Sequence, residues 1–363
     1  CESTCLLPLS PRLGRVRSLA GLLRNTALSI PYFQDRRMHT WINERLASRN
    51  MRRVFVYSSP MAQYVTDTAS SRVKCVVDFV DVDSDKWRQY AQRKQWPLSW
   101  LYRREAEYLL RFARDVALSA DASLFVSADE AALFRQLAPE AADRVGYLDN
   151  GVDHAYFTPE GDYEDPYDSC QEVIVFTGAM DYWANIDAVT WFAREVFPAV
   201  RESVNTARFV IVGARPSDEV RSLASIPGIS VTGAVKDIRP YLAHARVAIA
   251  PMRVARGVQN KVLEAMSMAR PVVASRLALE GIETAGHAGL GMADSAADFA
   301  TATLGYLGSG HQGAFGDSRQ WVCSRYDWDS NLGKLDRYLG SPRGGEGVMT
   351  ENSDPASSLA AGQ

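Results

Sequence analysis

The feature that most constrains this chain is a recurring short run of Val, Ile and Phe, with a helical stretch between one run and the next. One series comprises RVFVYSS (53–59), KCVVDFV (74–80), ASLFVS (122–127) and RVGYLDNG (144–151). A second comprises EVIVFTG (172–178), RFVIVG (208–213), GISVTG (228–233), RVAIAP (246–251) and PVVAS (271–275). Runs so nearly continuous suit strands buried on both faces of a parallel sheet. Amphipathic segments such as NIDAVTWFAREVFPAV (185–200) supply the covering helices. Strand–helix–strand repetition predicts a doubly wound α/β architecture. The series are parted by NGVDHAYFTPEGDYEDPYDSCQE (150–172), rich in Gly, Pro and acids as linkers are. Two Rossmann-like domains facing each other across a cleft follow, with ligand expected between the carboxyl ends of their strands. The expected bounds are 1–153 and 154–325, then a helix over 326–340 and a Gly/Ser/Pro-rich tail over 341–363 that reads as disordered.

Composition narrows the class. A chain of 363 residues, 47% apolar and 23% charged, can build two full cores and reads as a soluble globular enzyme. A net charge of −3 excludes a general nucleic-acid binder. That total hides an asymmetry: Pro11 to Arg53 holds ten arginines, no lysine and only Asp35 and Glu44 as acids, a local +8. Such a patch fits anionic lipid headgroups, a phosphorylated acceptor or an ordinary solvated helical face. Peripheral contact with an inner membrane face through residues 11–53 is the partner expectation that goes with it. No apolar run approaches the ~20 residues of a membrane span, and no signal peptide is recognisable. Cys1, Cys5, Cys75, Cys170 and Cys323 are scattered, which fits a reducing cytosol better than a disulfide framework or a zinc site. The five histidines are dispersed and suggest neither zinc nor a catalytic triad. The opening CESTCLLPLSP reads as the end of a strand and its loop, so the first domain is expected to be incomplete.

The most informative stretch is ARGVQNKVLEAMSMARPVVAS (255–275). A helix is expected from about Val258 to Ala269, with Val262, Ala265, Met266 and Ala269 on its core face. Gly257 allows a tight turn and a close approach to a ligand. The first amides, around Val258 and Gln259, lack intrahelical partners and favour an anion. Lys261 and Glu264, three apart, share one surface and lean toward the amino end. The lysine suits phosphate oxygens, the carboxylate a ribose diol, and Arg256 a diphosphate held bidentately. The plain alternative is an exposed Lys–Glu pair.

RGVQNKVLEAMSMARPVVAS resembles the donor-site signature of the GT-B-fold glycosyltransferases of family 4: a Glu, seven residues, a second Glu, then A-M-A-x-G-x-P-V-V-A. Glu264 matches the second Glu and Gly257 the glycine after the first, while Arg256 occupies the position of the first Glu. NGVD (150–153) with Phe157, and VFTGAMDYWAN (175–185) with Gly178, are similar to the family's approach to its second domain and the first loop there. VTGAVKDIRPYLAHARVAIAP (231–251) matches the segment whose backbone, around Val235, contacts the base. VDFVDVDSDKWRQYA (77–91) and GVQNKVLEA most resemble the sugar transferases of exosortase/PEP-CTERM exopolysaccharide systems. The resemblance implies retaining transfer from a nucleoside-diphosphate sugar to the hydroxyl of a saccharide or lipid-linked acceptor, with no metal or other cofactor. A sugar-nucleotide epimerase of the same fold, or a non-catalytic nucleotide-sugar-binding subunit, remains the alternative.

In the first domain the acidic run DFVDVDSD follows a strand and is expected to face the cleft. Asp81-Val82-Asp83 mimics a metal-binding D-x-D, but a helix amino end with cations is an alternative way to neutralise a diphosphate. Asp78 and Asp81 are the candidates for sugar contact or proton handling, beside a helix-capping reading for Asp83 or Ser84. Tyr57, Ser58, Ser59 and Gln63 read as an ordinary strand-to-helix turn with an acceptor contact as the alternative.

Overall fold

The computed structural model describes residues 3–47, 51–65, 73–168, 171–284, 289–307 and 315–340. Cys1, Cys170 and the tail 341–363 expected to be disordered lie outside the described residues.

The first domain is built on four parallel strands in sequential order: β1 (Arg53–Tyr57), β2 (Lys74–Val80), β3 (Ala122–Phe125) and β4 (Val145–Tyr147). Val77, Phe79, Phe125 and Phe134 fill one side of this sheet. Three helices, Pro11–Arg24, Ser29–Tyr32 and Arg36–Ala47, precede β1, in the stretch that the sequence marked only by its arginines. The second domain carries six parallel strands: β5 (Glu172–Thr177), β6 (Ala207–Val212), β7 (Ile229–Gly233), β8 (Val247–Ala250), β9 (Val272–Ala274) and β10 (Leu290–Met292). Their order is β10-β9-β8-β5-β6-β7. β5 pairs with β6 on one side and β8 on the other, so the winding reverses between β5 and β8. In open α/β sheets such a switch point opens a crevice at the strands' carboxyl ends.

Every strand expected from the Val/Ile/Phe runs is present: 74–80 is reproduced end to end, β6 starts one residue early at Ala207, and the other runs lose one to four residues at an end. RVGYLDNG loses most, because Asp149 is held by Arg325 and Lys334 and starts the crossing between the domains. The segment expected as one helix over 185–200 contains a π-helical turn, Phe192–Val196, between Trp183–Trp191 and Phe197–Ser203. Pro198 lacks the amide a regular ladder would need there. The C-terminal segment forms two short helices, Trp328–Gly333 and Leu335–Leu339, in place of the one expected over 326–340. The second of them packs Leu335, Tyr338 and Leu339 onto Val76, Ala122 and Leu124 of the first domain.

Candidate functional site

A cleft of about 550 Å³ opens at the β5/β8 switch point. Its wall comprises the loops after β5, β6 and β7 and the start of the helix Asn260–Ser267, all from the second domain. Among the residues expected on the donor side, Gly178, Val235, Val258, Gln259, Lys261 and Glu264 line it together. The helix starts two residues later than expected, at Asn260, and its N-cap Gln259 provides no side-chain acceptor to the first amides. Those donors and their partial positive charge are therefore left to whatever fills the cleft.

Lys261 is held in place by neutral groups. Its Nζ donates to Asn185 Oδ1 at 2.7 Å, lies 3.7 Å from Met252 Sδ and sits 4.2 Å from the centroid of the Phe176 ring. Burial drives its ammonium down to about 7, only partly countered by Glu264. Burial likewise lifts the Glu264 carboxyl above the usual range, and Lys261 opposes that rise. Asn185 also donates to Ala179 O at 2.9 Å, so one amide side chain ties the lysine to the loop after β5. A Cβ on Gly178 would stand 2.7 Å from Asn185 Nδ2, which explains the glycine. Asn185 and Tyr182 were not singled out from the sequence, although both lie within VFTGAMDYWAN. An amide that orients a lysine carries no spacing signature that would find it.

In the first domain, β2 ends in a bulge against β3 between Asp78 and Val80. Val80 takes φ +70°, a region a β-branched residue rarely adopts. The irregularity separates the two candidate acids. Asp78 turns back on the chain, its Oδ1 accepting from the Val80 amide at 2.9 Å. Asp81 packs against the second domain: a Cβ on Gly257, whose φ is +66°, would collide with Asp81 Oδ1. Burial raises the Asp81 carboxyl to about 7; Lys86 pulls it down while Glu130, Asp83 and Asp78 push it further up. Asp83 is raised by burial too, with Lys86 opposing. Lys86, another residue the sequence did not flag, sits with its Nζ 5.7 Å from the centre of the Tyr182 ring.

Arg256 departs from expectation. It does not line the cleft; its guanidinium is turned to Asp85, Glu130 and Glu280. A guanidinium already surrounded by three carboxylates has little positive potential left for a diphosphate, so the cation reading drawn from position alone is corrected. Gly257 also stays out of the lining, because Asp81 and Val126 of the first domain take up the space beside it. Among the remaining candidates, Gln63 is spent on the carbonyls of Ile30 and Pro60 at 3.1 and 2.8 Å, and Ser59 is buried. Tyr57 borders an apolar groove of about 520 Å³ beside β1, along with Leu9, Met38 and Trp41.

The two domains touch along one rim of the cleft. Tyr90 and Tyr182 hydroxyls are 3.1 Å apart, and Tyr90 meets the Trp183 ring edge-on at 4.4 Å between centroids. Arg93 reaches Asp187 at 3.6 Å, and the Gly281 amide donates to Asp129 at 3.2 Å.

Comparison with known proteins places this geometry. Residues 171–309 match the family model described as Glycosyl transferases group 1. No curated protein matches the chain in sequence. Among solved structures the chain is similar to the sucrose-phosphate synthase of Thermosynechococcus elongatus, with a TM-score of 0.63 at 13% identity over 85% of this chain and 78% of that one. It is similar to Anabaena Alr3699/HepE, solved with UDP and glucose: TM-score 0.61, 13% identity, 84% and 81% covered. TarM follows with a TM-score of 0.60 at 12% identity, 84% of this chain and 58% of that one covered. At such identities the likeness establishes the fold, two Rossmann-like domains of the GT-B type.

Proposed function

We propose that this chain, a glycosyltransferase by the group 1 domain it carries, moves a hexose from a nucleoside-diphosphate donor to an acceptor hydroxyl, retaining the anomeric configuration, in the assembly of an exopolysaccharide. The observation that carries this reading is the meeting of Lys261, Glu264 and an uncapped helix start at the β5/β8 switch point, with Gly178 and Val235 opposite. As the glycosidic bond breaks, negative charge grows on the leaving diphosphate, and preset amides with Lys261 stabilise it there. Glu264 holds the ribose hydroxyls, and the backbone at Val235 borders the base. Asp81, which the first domain packs against Gly257 and whose carboxyl burial lifts to about 7, handles a hydroxyl of the donor sugar or a proton near neutrality. Positive charge from amides and a lysine leaves no task for a metal in this scheme. UDP is the first nucleotide to try, since HepE was solved with it.

The test is a panel of UDP- and GDP-sugars, with and without saccharide and lipid-linked acceptors, read by product mass in buffer containing EDTA. Transfer that continues at full rate in EDTA is the expected result. An isomerised sugar nucleotide from donor alone would assign an epimerase, and no nucleotide binding at all would remove the reading.

A further inference from the structure

Arg256 meets three carboxylates at the interface between the domains, an arrangement that nucleotide binding does not explain. Its side chain is 15% exposed, and it meets Asp85, which is fully buried, through Nη2. Nη1 lies 3.7 Å from Glu130 and 3.0 Å from Glu280. Asp85 and Glu130 belong to the first domain, Arg256 and Glu280 to the second, so the cluster spans the interface. Arg88 also bonds Asp85 from the solvent side, and Glu130 Oε2 accepts from the Val82 amide at 2.6 Å, which fixes both acids. Such a buried cluster adds little net stability, because desolvation offsets attraction; its recognised use is to set register.

The next residues say what register is being set. Gly257 is where the first domain crowds the loop, with Asp81 Oδ1 and Val126 Cγ2 against it. One and two residues further on, Val258 and Gln259 line the donor cleft. Every residue of that lining comes from the second domain, whereas Asp81 comes from the first. Nucleotide binding therefore needs only one domain, while a group delivered by Asp81 needs both in a fixed relation.

We propose that Arg256 is a positioning residue that clasps the two domains in register, holding Asp81 against the loop Gly257–Gln259 at the edge of the donor cleft. The consequence for transfer rests on the glycosyltransferase reading; the clasp itself does not. It separates two properties that a phosphate ligand would lose together.

The experiment uses the full chain as wild type, Arg256→Gln, Arg256→Lys and Glu280→Gln, followed by amide hydrogen exchange and by calorimetric titration with UDP and GDP. In Arg256→Gln, exchange is expected to speed up about tenfold or more in Asp83–Gln92 and in residues 276–284, while β5 and β6 keep their protection. The dissociation constant of the nucleotide that binds stays within about threefold. Arg256→Lys recovers part of the protection, since an ammonium can serve one carboxylate but not three. Unchanged exchange on both faces overturns the proposal, as does a nucleotide affinity lost about a hundredfold with exchange intact, which would make Arg256 a phosphate ligand. Should Arg256→Gln fail to fold, Glu280→Gln at the exposed margin of the cluster decides: faster exchange in the same two segments supports the clasp, and wild-type exchange refutes it. If wild type binds neither UDP nor GDP, the functional reading loses its support while the exchange comparison still decides the clasp.

Discussion

Two ionisable side chains, Lys261 in the cleft and Asp81 of the first domain beside Gly257, are held away from their ordinary titration by burial, and they respond to pH in opposite senses. Lys261 is depressed to about 7, below the ~10.4 of an unfolded lysine. The cost of its charge is therefore fully present below pH 7 and disappears as pH rises toward 10. Lys261→Met is expected to stabilise the fold at pH 6–7, with a gain that shrinks toward pH 10 in denaturant titrations. Asp81 is raised to about 7, above the ~3.9 of an unfolded aspartate. Its cost is absent below pH 4 and complete above pH 7, so the gain from Asp81→Asn grows across that interval. Ligand binding adds a second reading of Lys261. An anion in the cleft raises its pKa, so UDP binding above pH 7 must take up a proton, and affinity falls as pH climbs. Calorimetry in two buffers of different ionisation enthalpy measures that uptake, and Lys261→Met should abolish it. Glu264→Ala, which removes the ribose acceptor, is expected to weaken UDP about 10- to 100-fold, the worth of a charged hydrogen bond; unchanged binding would refute its role.

At the scale of elements, what was legible in the sequence is what burial on two faces makes repetitive. The parallel strands announce themselves as Val/Ile/Phe runs because helices cover both faces of each sheet, and the donor helix because Gly257, Lys261 and Glu264 keep a recognisable spacing. β10 (Leu290–Met292) was missed because an edge strand of three residues has no such run. Arg256 was misread for a different reason: its neighbours Asp85 and Glu130 are more than a hundred residues away, and only the tertiary fold brings them together. The helices before β1 were legible only as charge. In Pro11–Arg24, Gly14 and Gly21 are buried against Tyr32 and Leu28, and that close packing turns Leu13, Val16 and Leu23 outward beside Arg12, Arg15 and Arg24. Exposed apolar side chains interspersed with arginines, in a helix without acids, suit anionic lipid headgroups through charge. The chain is expected to sediment with phosphatidylglycerol vesicles and not with phosphatidylcholine ones. Each of Arg12→Gln, Arg15→Gln and Arg24→Gln should weaken that about fivefold, near 1 kcal/mol per charge removed.

The whole molecule is held together by its last described residues. The chain leaves the second domain at Tyr326, crosses beside Gly151, whose missing Cβ leaves room for the Trp328 ring, and lays Leu335, Tyr338 and Leu339 on the back of the first sheet. Tyr338 packs so closely over Gly146 that a side chain there would displace it. Buried Asp149, at the crossing between domains, is bonded by Arg325 at 2.9 Å and Lys334 at 3.3 Å, so outgoing and returning strands of chain share one anchor. The first domain thus completes its core with residues that follow the second, and its stability depends on that return. Replacing Leu335 and Tyr338 by Ala removes the apolar contacts of two half-buried side chains, worth about 1–2 kcal/mol each, below the range of fully buried core positions. The loss falls on the first domain alone, because the cleft and its sheet contribute nothing to that cluster. Calorimetric unfolding of the double variant should therefore split into two transitions, the first domain melting earlier. UDP at about 100 times its dissociation constant should raise only the later transition, by about 2.7 kcal/mol, since its cleft lies wholly in the second domain. A double variant that still unfolds in one step, or whose early transition moves with UDP, would show that the domains are coupled through the Arg256 interface instead of through the returning helix.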